Sequence, residues 1–354
     1  MQRRNSIAVG WHKVKQAMIA LSFVICSRSL SLTLTSCVDT EEYNDTPTGN
    51  FEALWKLMDE HYCFFDYKQQ EYGLDWNAVY NKYKVRINDN MNSTQLFEVC
   101  CDMLAELRDG HVNLSSAMNY GRYWKWQEAY PKNFSDTLYR HYMGTDYRIT
   151  GGLYFRVLDD NIGYIYCPSF ESAFGEGNLD EVFAYLTLCR GLIVDIRNNG
   201  GGDLTMAERL AGRFVQQRTL VGYMQHKTGP GHNDFSSKEE WYLEPSQNIR
   251  WNKKVCVLTN RSVYSAANAF AVMMRALPNV TIVGDQTGGG SGMPMSSSLP
   301  NGWSVRYSAC PMYDKDGRNT EFGITPNISV GLSDASIAKN IDDIIEKARE
   351  VLSQ

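Results

Sequence analysis

Four short apolar runs in the second half of the chain constrain its fold more than any other feature of the sequence. The runs cover residues 162–167, 192–196, 255–258 and 280–283. Three segments with helical spacing of their apolar residues separate them, at residues 180–189, 207–215 and 265–277. Buried parallel strands are short and apolar on both faces, and helices connect them. The alternation therefore predicts a mixed α/β core with βαβ units over residues 151–333.

The remaining parts of the chain have different patterns. Residues 50–114 repeat apolar side chains at helical spacing, which predicts a small N-terminal helical domain. Asn92 or Ser93 can cap its third helix. Residues 115–150 are aromatic and polar without a clear period, so we interpret them as a connecting segment. A terminal amphipathic helix is predicted at residues 334–354.

The first 36 residues have the organisation of an export signal. A basic start precedes an apolar stretch, and small residues lead to Leu34-Thr-Ser-Cys37. That ending resembles the bacterial lipobox, in which the Cys becomes the lipidated first residue; an ordinary signal peptide or a signal anchor is the alternative. The resemblance implies an outer-membrane lipoprotein of the cell envelope, anchored by lipid at Cys37, with residues 37–49 as a polar tether. Whether the protein faces the periplasm or the cell surface stays open.

Charge restricts the partners of the processed chain. Removing residues 1–36 takes away five Lys or Arg and no acidic residue, so the formal net charge changes from −5 to −10. Because phosphate binding needs a basic face, this charge argues against nucleic acid as a partner.

The cysteines indicate neither a disulfide framework nor a metal site. Seven remain besides Cys26 and Cys37, and most lie inside apolar runs, which is typical of buried thiols. No Cys-x-x-Cys pair or Cys/His ligand spacing occurs. We therefore predict no structural metal and no cofactor.

Two turns between a buried strand and a helix carry residues with chemical potential. The first contains Gly200, Gly201 and Gly202, which suit a flexible turn, a phosphate loop without its usual motif, or an oxyanion site. The second contains Ser265. A Ser there is usually an N-cap, but the same turn also presents a hydroxyl as a nucleophile.

A third segment, Arg108-Asp-Gly-His111, follows a predicted helix. A lone His is more often structural than catalytic. A turn just past a helix end can nevertheless present the ring to a cleft, and His is the usual base for a Ser hydroxyl near neutral pH.

Together these segments resemble one family of serine peptidases. The family includes the C-terminal processing (tail-specific) proteases, the tricorn core protease and the retinoid-binding protein of the eye. Arg-Asn-Asn-Gly-Gly-Gly at 197–202, Ser-Val-Tyr-Ser-Ala-Ala-Asn at 262–268 and Val-Gly-Asp-Gln-Thr-Gly at 283–288 fit its blocks in order. The resemblance spans about residues 95–330 and implies a crotonase-like or ClpP-like peptidase core.

The resemblance also implies roles for single residues. Ser265 takes the nucleophile position. The backbone N–H groups of Gly202 and Ala266 take the oxyanion hole, with Gly201 as a near alternative.

The chain departs from the tail-specific branch at the base. In that branch a Lys follows the Val-Gly-Glu block, whereas here Gly290 occupies the aligned position and no Lys occurs between Lys254 and Lys315. Asp-Gly-His at 109–111 instead resembles the tricorn-like branch, in which His is the base. Glu321, before a Gly-x-x-Pro segment, then becomes the candidate that orients His111, directly or through another group.

Two further features bear on this assignment. The tricorn protease has a Ser before its base, whereas this chain has Gly110, and this difference argues against a relay between His111 and Glu321. Asp109 is a second candidate for orienting His111, although it can also simply cap a turn. The segment between Val112 and Gly151 is too short for the peptide-binding PDZ domain that many relatives carry. Residues 226–251 are therefore a candidate lid or specificity loop, with a solvated insertion as the alternative.

The sequence thus predicts a serine endopeptidase that needs no cofactor and acts on extended peptides or proteins. One alternative is a catalytically inactive binding protein on the same fold. Another is a lipoprotein that binds glycans or partners through the aromatic segment, which includes Tyr120, Tyr123, Trp124, Trp126 and Tyr130. Core positions are the simpler interpretation of those aromatic residues.

Overall fold

A computed structural model describes residues 43–354, which form one compact unit. The predicted signal peptide, the lipidation site at Cys37 and most of the tether lie outside the described residues. The predicted tether ends earlier than residue 49, because a helix already begins at Pro47 and the Thr46 side chain caps it. No helix within residues 43–354 has the length and apolarity required to cross a bilayer.

The N-terminal part is helical, as predicted. Asp75 and Asn92 cap the third and fourth helices, and Asn92 forms a capping box with Gln95. The four helices are α1 (Pro47–His61), α2 (Phe65–Tyr72), α3 (Trp76–Lys84) and α4 (Ser93–Ala105).

The segment predicted as a connection contains regular structure. Its strand at 113–115 pairs with residues 304–306, and its strand at 148–150 pairs with residues 153–155, so the segment belongs to the two sheets rather than joining two bodies. The elements are β1 (Asn113–Ser115), β2 (Tyr120–Arg122), α5 (Lys125–Glu128), α6 (Asp136–Met143) and β3 (Arg148–Thr150).

A seven-stranded sheet forms the centre of the core. Besides β3, its strands are β4 (Leu153–Val157), β5 (Ile162–Tyr166), β6 (Gly191–Asp195), β9 (Val255–Thr259), β10 (Val280–Gly284) and β13 (Ile328–Ser329). Their order is β13-β10-β9-β6-β5-β4-β3, and the five strands from β13 to β5 are parallel. The predicted mixed α/β core with parallel crossovers is confirmed.

Helices cover both faces of this sheet. Leu192 and Val194 point to one face, where three helices pack, and Ile193 points to the other. The three helices are α7 (Glu176–Leu186), α8 (Leu204–Ala211) and α9 (Ala266–Arg275).

The opposite face of the sheet is covered by the C-terminal helix. The predicted single helix over 334–354 is wrong: α10 (Asp334–Ile337) and α11 (Asp343–Ser353) are separate. The break lies at Asp342, whose side chain caps α11 and also accepts hydrogen bonds from Arg197. Ile344 and Leu352 of α11 then pack on the strands.

A second sheet joins the helical part to the core. It is built around β12 (Ser304–Asp314), which pairs with three strands: β1, β7 (Thr219–Met224) and β11 (Gly292–Ser298). A further strand, β8 (Glu239–Leu243), pairs with β7 and extends the sheet. Val305 and Tyr307 of β12 share one hydrophobic cluster with helices α1 to α4. The helical part is therefore not the separate domain that residues 50–114 predict.

The seven cysteines in the described part of the chain are free thiols. Five are buried, and Cys101 and Cys310 are half-buried.

Candidate active site

Two loops meet at the carboxyl edge of the parallel sheet. Because β6 and β9 are neighbours, with Asp195 opposite Leu258, the loops that follow them emerge side by side. The Asn198 backbone N–H donates to Asn260 Oδ1 at 3.1 Å, and Asn260 Nδ2 donates to Asn198 Oδ1 at 3.0 Å. This reciprocal pair fixes the glycine segment against the segment that carries Ser265.

Ser265 occupies an unusual backbone conformation. Its φ of 56° and ψ of −125° lie outside the regions that side-chain-bearing residues ordinarily adopt. Its N–H donates to Gly289 O at 2.8 Å, so the loop after β10 holds the turn in place. The residue directly precedes α9, and such a sharp strand-to-helix turn presents the hydroxyl outward.

The structure brings His111 and Ser265 together, although 154 positions separate them in the chain. Ser265 Oγ lies 3.0 Å from His111 Nε2. His111 lies just before β1, whose pairing with β12 fixes the turn next to the core. The imidazole packs against the Tyr264 ring at 5.0 Å between centroids.

Burial strongly affects the basicity of His111. The side chain is only 4% exposed. Burial lowers its pKa to about 4; the nearby Asp109 carboxylate opposes this shift, whereas Arg306 and Arg122 reinforce it. The ring is therefore neutral at pH 7, which is the form that can accept a proton.

Two backbone amides beside Ser265 are available as donors. Among the described residues, neither the Gly202 N–H nor the Ala266 N–H has a hydrogen-bond acceptor, and both residues line the same cavity as His111 and Ser265. The alternative donor, Gly201, is already engaged, because its N–H donates to Asn199 Oδ1 at 2.9 Å. Two unpaired amides at one cavity are what the predicted oxyanion hole of Gly202 and Ala266 requires.

Neither candidate carboxylate contacts the imidazole ring. Asp109 Oδ1 accepts a hydrogen bond from the backbone N–H of His111 at 2.7 Å. Glu321 accepts from Lys68 Nζ at 3.2 Å and from the Ser291 N–H at 3.0 Å. His111 Nδ1 is buried without a partner among the described atoms. Of the two routes predicted for Glu321, direct contact with the ring is absent, and orientation through another group stays a prediction.

The two carboxylates carry opposite pKa shifts. Burial raises the pKa of Glu321 to about 8, and repulsion from Asp109 adds to this effect. Burial also opposes ionisation of Asp109, but Lys68 and His111 outweigh it and hold the pKa of Asp109 below its ordinary value. Asp109 is therefore the ionised partner of Lys68 near neutral pH.

Gly290 leaves no room for a lysine at the position aligned with the tail-specific base. A side chain there would overlap the Tyr264 ring, and the φ of 78° is unfavourable for any residue other than glycine. The packing around Ser265 therefore agrees with a histidine base.

A largely apolar cavity of about 380 Å³ opens beside His111 and Ser265. Ala269 and Val272 of α9 line one side, and Met312 of β12 lines another. Trp241, from the excursion at residues 226–251, also lines it and donates to Glu208 at 2.8 Å. The tip of that excursion packs away from the cavity, since His232 stacks on Phe65 at 4.3 Å.

The aromatic segment lines a second, more polar cavity of about 700 Å³ next to the glycine loop. Trp126 is buried and stacks on Tyr264 at 4.0 Å. Tyr120 and Tyr130, in contrast, are 60% and 48% exposed. The interpretation of these aromatic residues as core therefore holds for Trp126 but not for Tyr120 or Tyr130.

Sequence reasoning missed Lys68 and Tyr264. Lys68 is completely buried, and its only signal is its place in the aromatic stretch Phe64-Phe-Asp-Tyr67. Tyr264 precedes the proposed nucleophile and contacts both His111 and Trp126. Within residues 43–354, no group of three or more His, Cys, Asp or Glu side chains is arranged to hold a metal ion.

Comparison with known proteins gives matches to two family profiles. Peptidase family S41 matches residues 161–330, and the Tricorn protease C1 domain matches residues 43–105. The S41 range contains Ser265 and Glu321, whereas His111 lies between the two matched ranges.

Individual relatives agree with these matches. A protein from Parabacteroides merdae assigned as a peptidase is 51% identical, with a TM-score of 0.83 over 87% of this chain and 97% of that chain. Mature CPAF has the same fold, with a TM-score of 0.65 at 12% identity over 87% of this chain and 97% of that chain. The carboxy-terminal processing protease CtpA of Bacillus subtilis is 25% identical over 184 residues, which are 51% of this chain but only 38% of CtpA.

Proposed function

The chain belongs to peptidase family S41, and on this premise we propose that it is a serine endopeptidase that cleaves extended peptides through Ser265 and His111. One observation carries the proposal: the 3.0 Å approach of His111 Nε2 to Ser265 Oγ beside the unoccupied N–H groups of Gly202 and Ala266. A nucleophile, a neutral base and two converging donors are the requirements of acyl transfer.

The reaction follows from these positions. His111 Nε2 takes the hydroxyl proton as Ser265 Oγ bonds to the peptide carbonyl carbon, and the Gly202 and Ala266 amides bind the developing oxyanion. The imidazolium then gives its proton to the leaving amine as the C–N bond breaks. Water, deprotonated by His111, attacks the acyl ester and releases the second product together with the Ser265 hydroxyl.

The free edge of β11 suits an extended substrate. Within the described sheet β11 pairs only with β12, so its other edge can hydrogen-bond to a peptide backbone. Gly292 and Met293 at the start of β11 line the same cavity as Ser265. A peptide strand added here runs past the nucleophile.

The apolar cavity supplies the substrate preference. Its walls of Ala269, Val272 and Met312 suit an aliphatic or medium-sized apolar side chain on the residue before the cleaved bond. Burial of such a side chain positions the carbonyl between the hydroxyl and the two amides.

The same proposal includes a lipid anchor in the cell envelope. The basic start, the apolar stretch and Leu34-Thr-Ser-Cys37 support export, lipidation of Cys37 and an outer-membrane location. Metabolic labelling with a fatty-acid analogue should modify the wild-type chain but not a Cys37→Ser variant. Equal labelling of both would exclude Cys37 as the lipid site.

Activity-based labelling tests the catalytic assignment. A fluorophosphonate should label the wild-type protein, whereas Ser265→Ala should show neither labelling nor cleavage of casein or peptides. His111→Ala should reduce both by a factor on the order of 10²–10⁴. An unlabelled wild-type protein that still binds peptide would instead identify an inactive peptidase-fold binding protein, and undiminished cleavage by Ser265→Ala would reject the nucleophile.

A further inference from the structure

A completely buried lysine lies beneath the turn that carries His111. Lys68 is 0% exposed and belongs to α2, three elements before the catalytic turn. Buried lysines are rare unless they are paired, because removing an ammonium group from water is costly. The partners of Lys68 therefore indicate what it stabilises.

Two of those partners are backbone carbonyls of the turn itself. Lys68 Nζ donates to Leu107 O at 2.6 Å and approaches Arg108 O at 3.4 Å. The turn follows the end of α4, where carbonyls have no partner within the helix. Arg108 has a φ of 47°, a conformation that persists only when the surroundings enforce it. Lys68 thus stabilises a turn that contains an unfavourable backbone conformation.

The other two partners are carboxyl groups from distant parts of the chain. Glu321 Oε1 lies 3.2 Å from Lys68 Nζ, and Asp109 Oδ2 lies 4.0 Å away. Through Oδ1, Asp109 accepts the backbone N–H of His111 at 2.7 Å. The Glu321 carboxylate is held in turn by the Ser291 N–H. A continuous path therefore connects Glu321 through Lys68 to the backbone of His111.

We propose that Lys68 is a positioning residue for the base, which fixes the Leu107–His111 turn so that the His111 imidazole reaches the Ser265 hydroxyl. The inference rests on the proposed peptidase function and deepens it. It also assigns a role to Glu321 that is different from direct contact with the imidazole: Glu321 holds Lys68, and Lys68 holds the turn. Lys68 itself does not exchange protons with substrate. Within the described residues its ammonium group contacts the turn, the two carboxyl groups and three aromatic rings, and Lys68 does not line the cavity beside Ser265.

The chain contains a matched control for a change beside a buried cation. Arg197 is also 0% exposed and is held by two carboxylates, Asp195 and Asp342. Asp342 caps α11, and none of its hydrogen bonds or ion pairs within residues 43–354 involves the His111 turn. Replacing one carboxyl group in each cluster therefore changes one hydrogen-bond partner of a buried cation, at the base in Glu321→Gln and away from it in Asp342→Asn.

The experiment compares Lys68→Met, Glu321→Gln and Asp342→Asn on a peptide that the wild type cleaves and Ser265→Ala does not. Melting temperature, kcat and KM are measured for each variant. Since a displacement of about 1 Å can cost roughly 100-fold in rate, we expect Lys68→Met to lower kcat by about that factor with KM changed less than about threefold. Glu321→Gln should lower kcat by about tenfold. Asp342→Asn should keep kcat within about threefold of the wild type, even if its melting temperature falls as much as that of Glu321→Gln.

Three results would overturn the inference. The first is a folded Lys68→Met variant with wild-type kcat, and the second is a Lys68→Met variant in which only KM changes. The third is a loss of kcat in Asp342→Asn that equals the loss in Glu321→Gln. If Lys68→Met does not fold, Glu321→Gln decides, and unchanged kcat there counts against the role. Failure of the proposed function is recognised separately, because no peptide would then be found that the wild type cleaves and Ser265→Ala does not.

Discussion

Asp109 accepts a hydrogen bond from the backbone N–H of His111 at 2.7 Å and makes none with its imidazole. The ring is instead oriented by the turn and by contact with Tyr264. Asp109 Oδ2 also accepts from the Tyr62 hydroxyl at 2.9 Å and from the Ser308 hydroxyl at 2.8 Å. The carboxylate therefore joins the helical part, the β12 strand and the catalytic turn at one buried point.

Replacing Asp109 by Asn should destabilise the fold and slow catalysis. The amide retains one acceptor for the His111 N–H, but it leaves the buried Lys68 without its ionised partner. We expect a loss of about 3–5 kcal/mol in the free energy of unfolding, measured by chemical denaturation. Asp102→Asn, which removes an exposed pair with Arg86, should cost less than about 1 kcal/mol. Equal losses would show that Asp109 is not an ionised member of the cluster.

The acid limb of the pH profile should lie far below that of an ordinary histidine. Burial lowers the pKa of His111 to about 4, and the base acts only when neutral. As pH falls, kcat/KM should therefore stay level through pH 6 and decline near pH 4. Initial rates between pH 3.5 and pH 8, with circular dichroism to verify folding at each pH, measure this limb. A decline centred near pH 6.5 would contradict the burial of the imidazole.

Gly202→Ala should abolish turnover, whereas Gly200→Ala should not. A methyl group on Gly202 would overlap the Phe170 backbone, and its φ of 132° disfavours any side chain. Gly200, in the same loop, has open space around its added methyl group. We expect a loss of at least about 100-fold in kcat for Gly202→Ala and a change below about threefold for Gly200→Ala. Similar rates for both variants would show that the Gly202 N–H does not bind the oxyanion.

Val272→Phe should narrow the substrate range. The larger ring would fill part of the 380 Å³ cavity that Val272 lines. Peptides with Leu or Phe before the cleaved bond should lose about 10-fold to 100-fold in kcat/KM, whereas peptides with Ala there should be cleaved at close to the wild-type rate. A peptide panel measures this difference. An equal loss of kcat/KM for every peptide would show that this cavity does not bind the side chain before the cleaved bond.

Glu321 should make stability fall as pH rises through the neutral range. Burial raises its pKa from 4.5 to about 8, so between these values the unfolded chain has lost a proton that the folded chain retains. The folded state is thereby progressively disfavoured as pH increases to about 8. Urea denaturation at pH 5 and pH 8 should show a smaller decrease for Glu321→Gln than for the wild type. Parallel decreases would mean that Glu321 is ionised throughout.

Sequence patterns predict the parts of this structure that depend on local chemistry. The apolar runs at 192–196 and 255–258 predict buried parallel strands, and neighbouring parallel strands bring the loops with Gly202 and Ser265 together. The missing lysine near Gly290 directs attention to His111, and the structure places that ring beside the Ser265 hydroxyl.

Long-range burial is the part that sequence patterns do not predict. Lys68 lies on a short helix with little amphipathic character, and its carboxylate partner Glu321 is 253 positions away. No spacing rule connects two such residues. The sequence leaves open whether Glu321 orients His111 directly or through another group, and it gives no sign that Lys68 contacts both Glu321 and the turn before His111. The break at Asp342 likewise depends on Arg197, which is distant in sequence.

The distance in sequence between Lys68 and Glu321 also fixes when proteolysis can begin. A nascent chain emerging from the ribosome exposes α2 early, but the residue that holds Lys68 is synthesised only after β12 is complete. Until then the catalytic turn lacks its support from Glu321. Self-cleavage by an incompletely synthesised chain is therefore disfavoured by the order of translation.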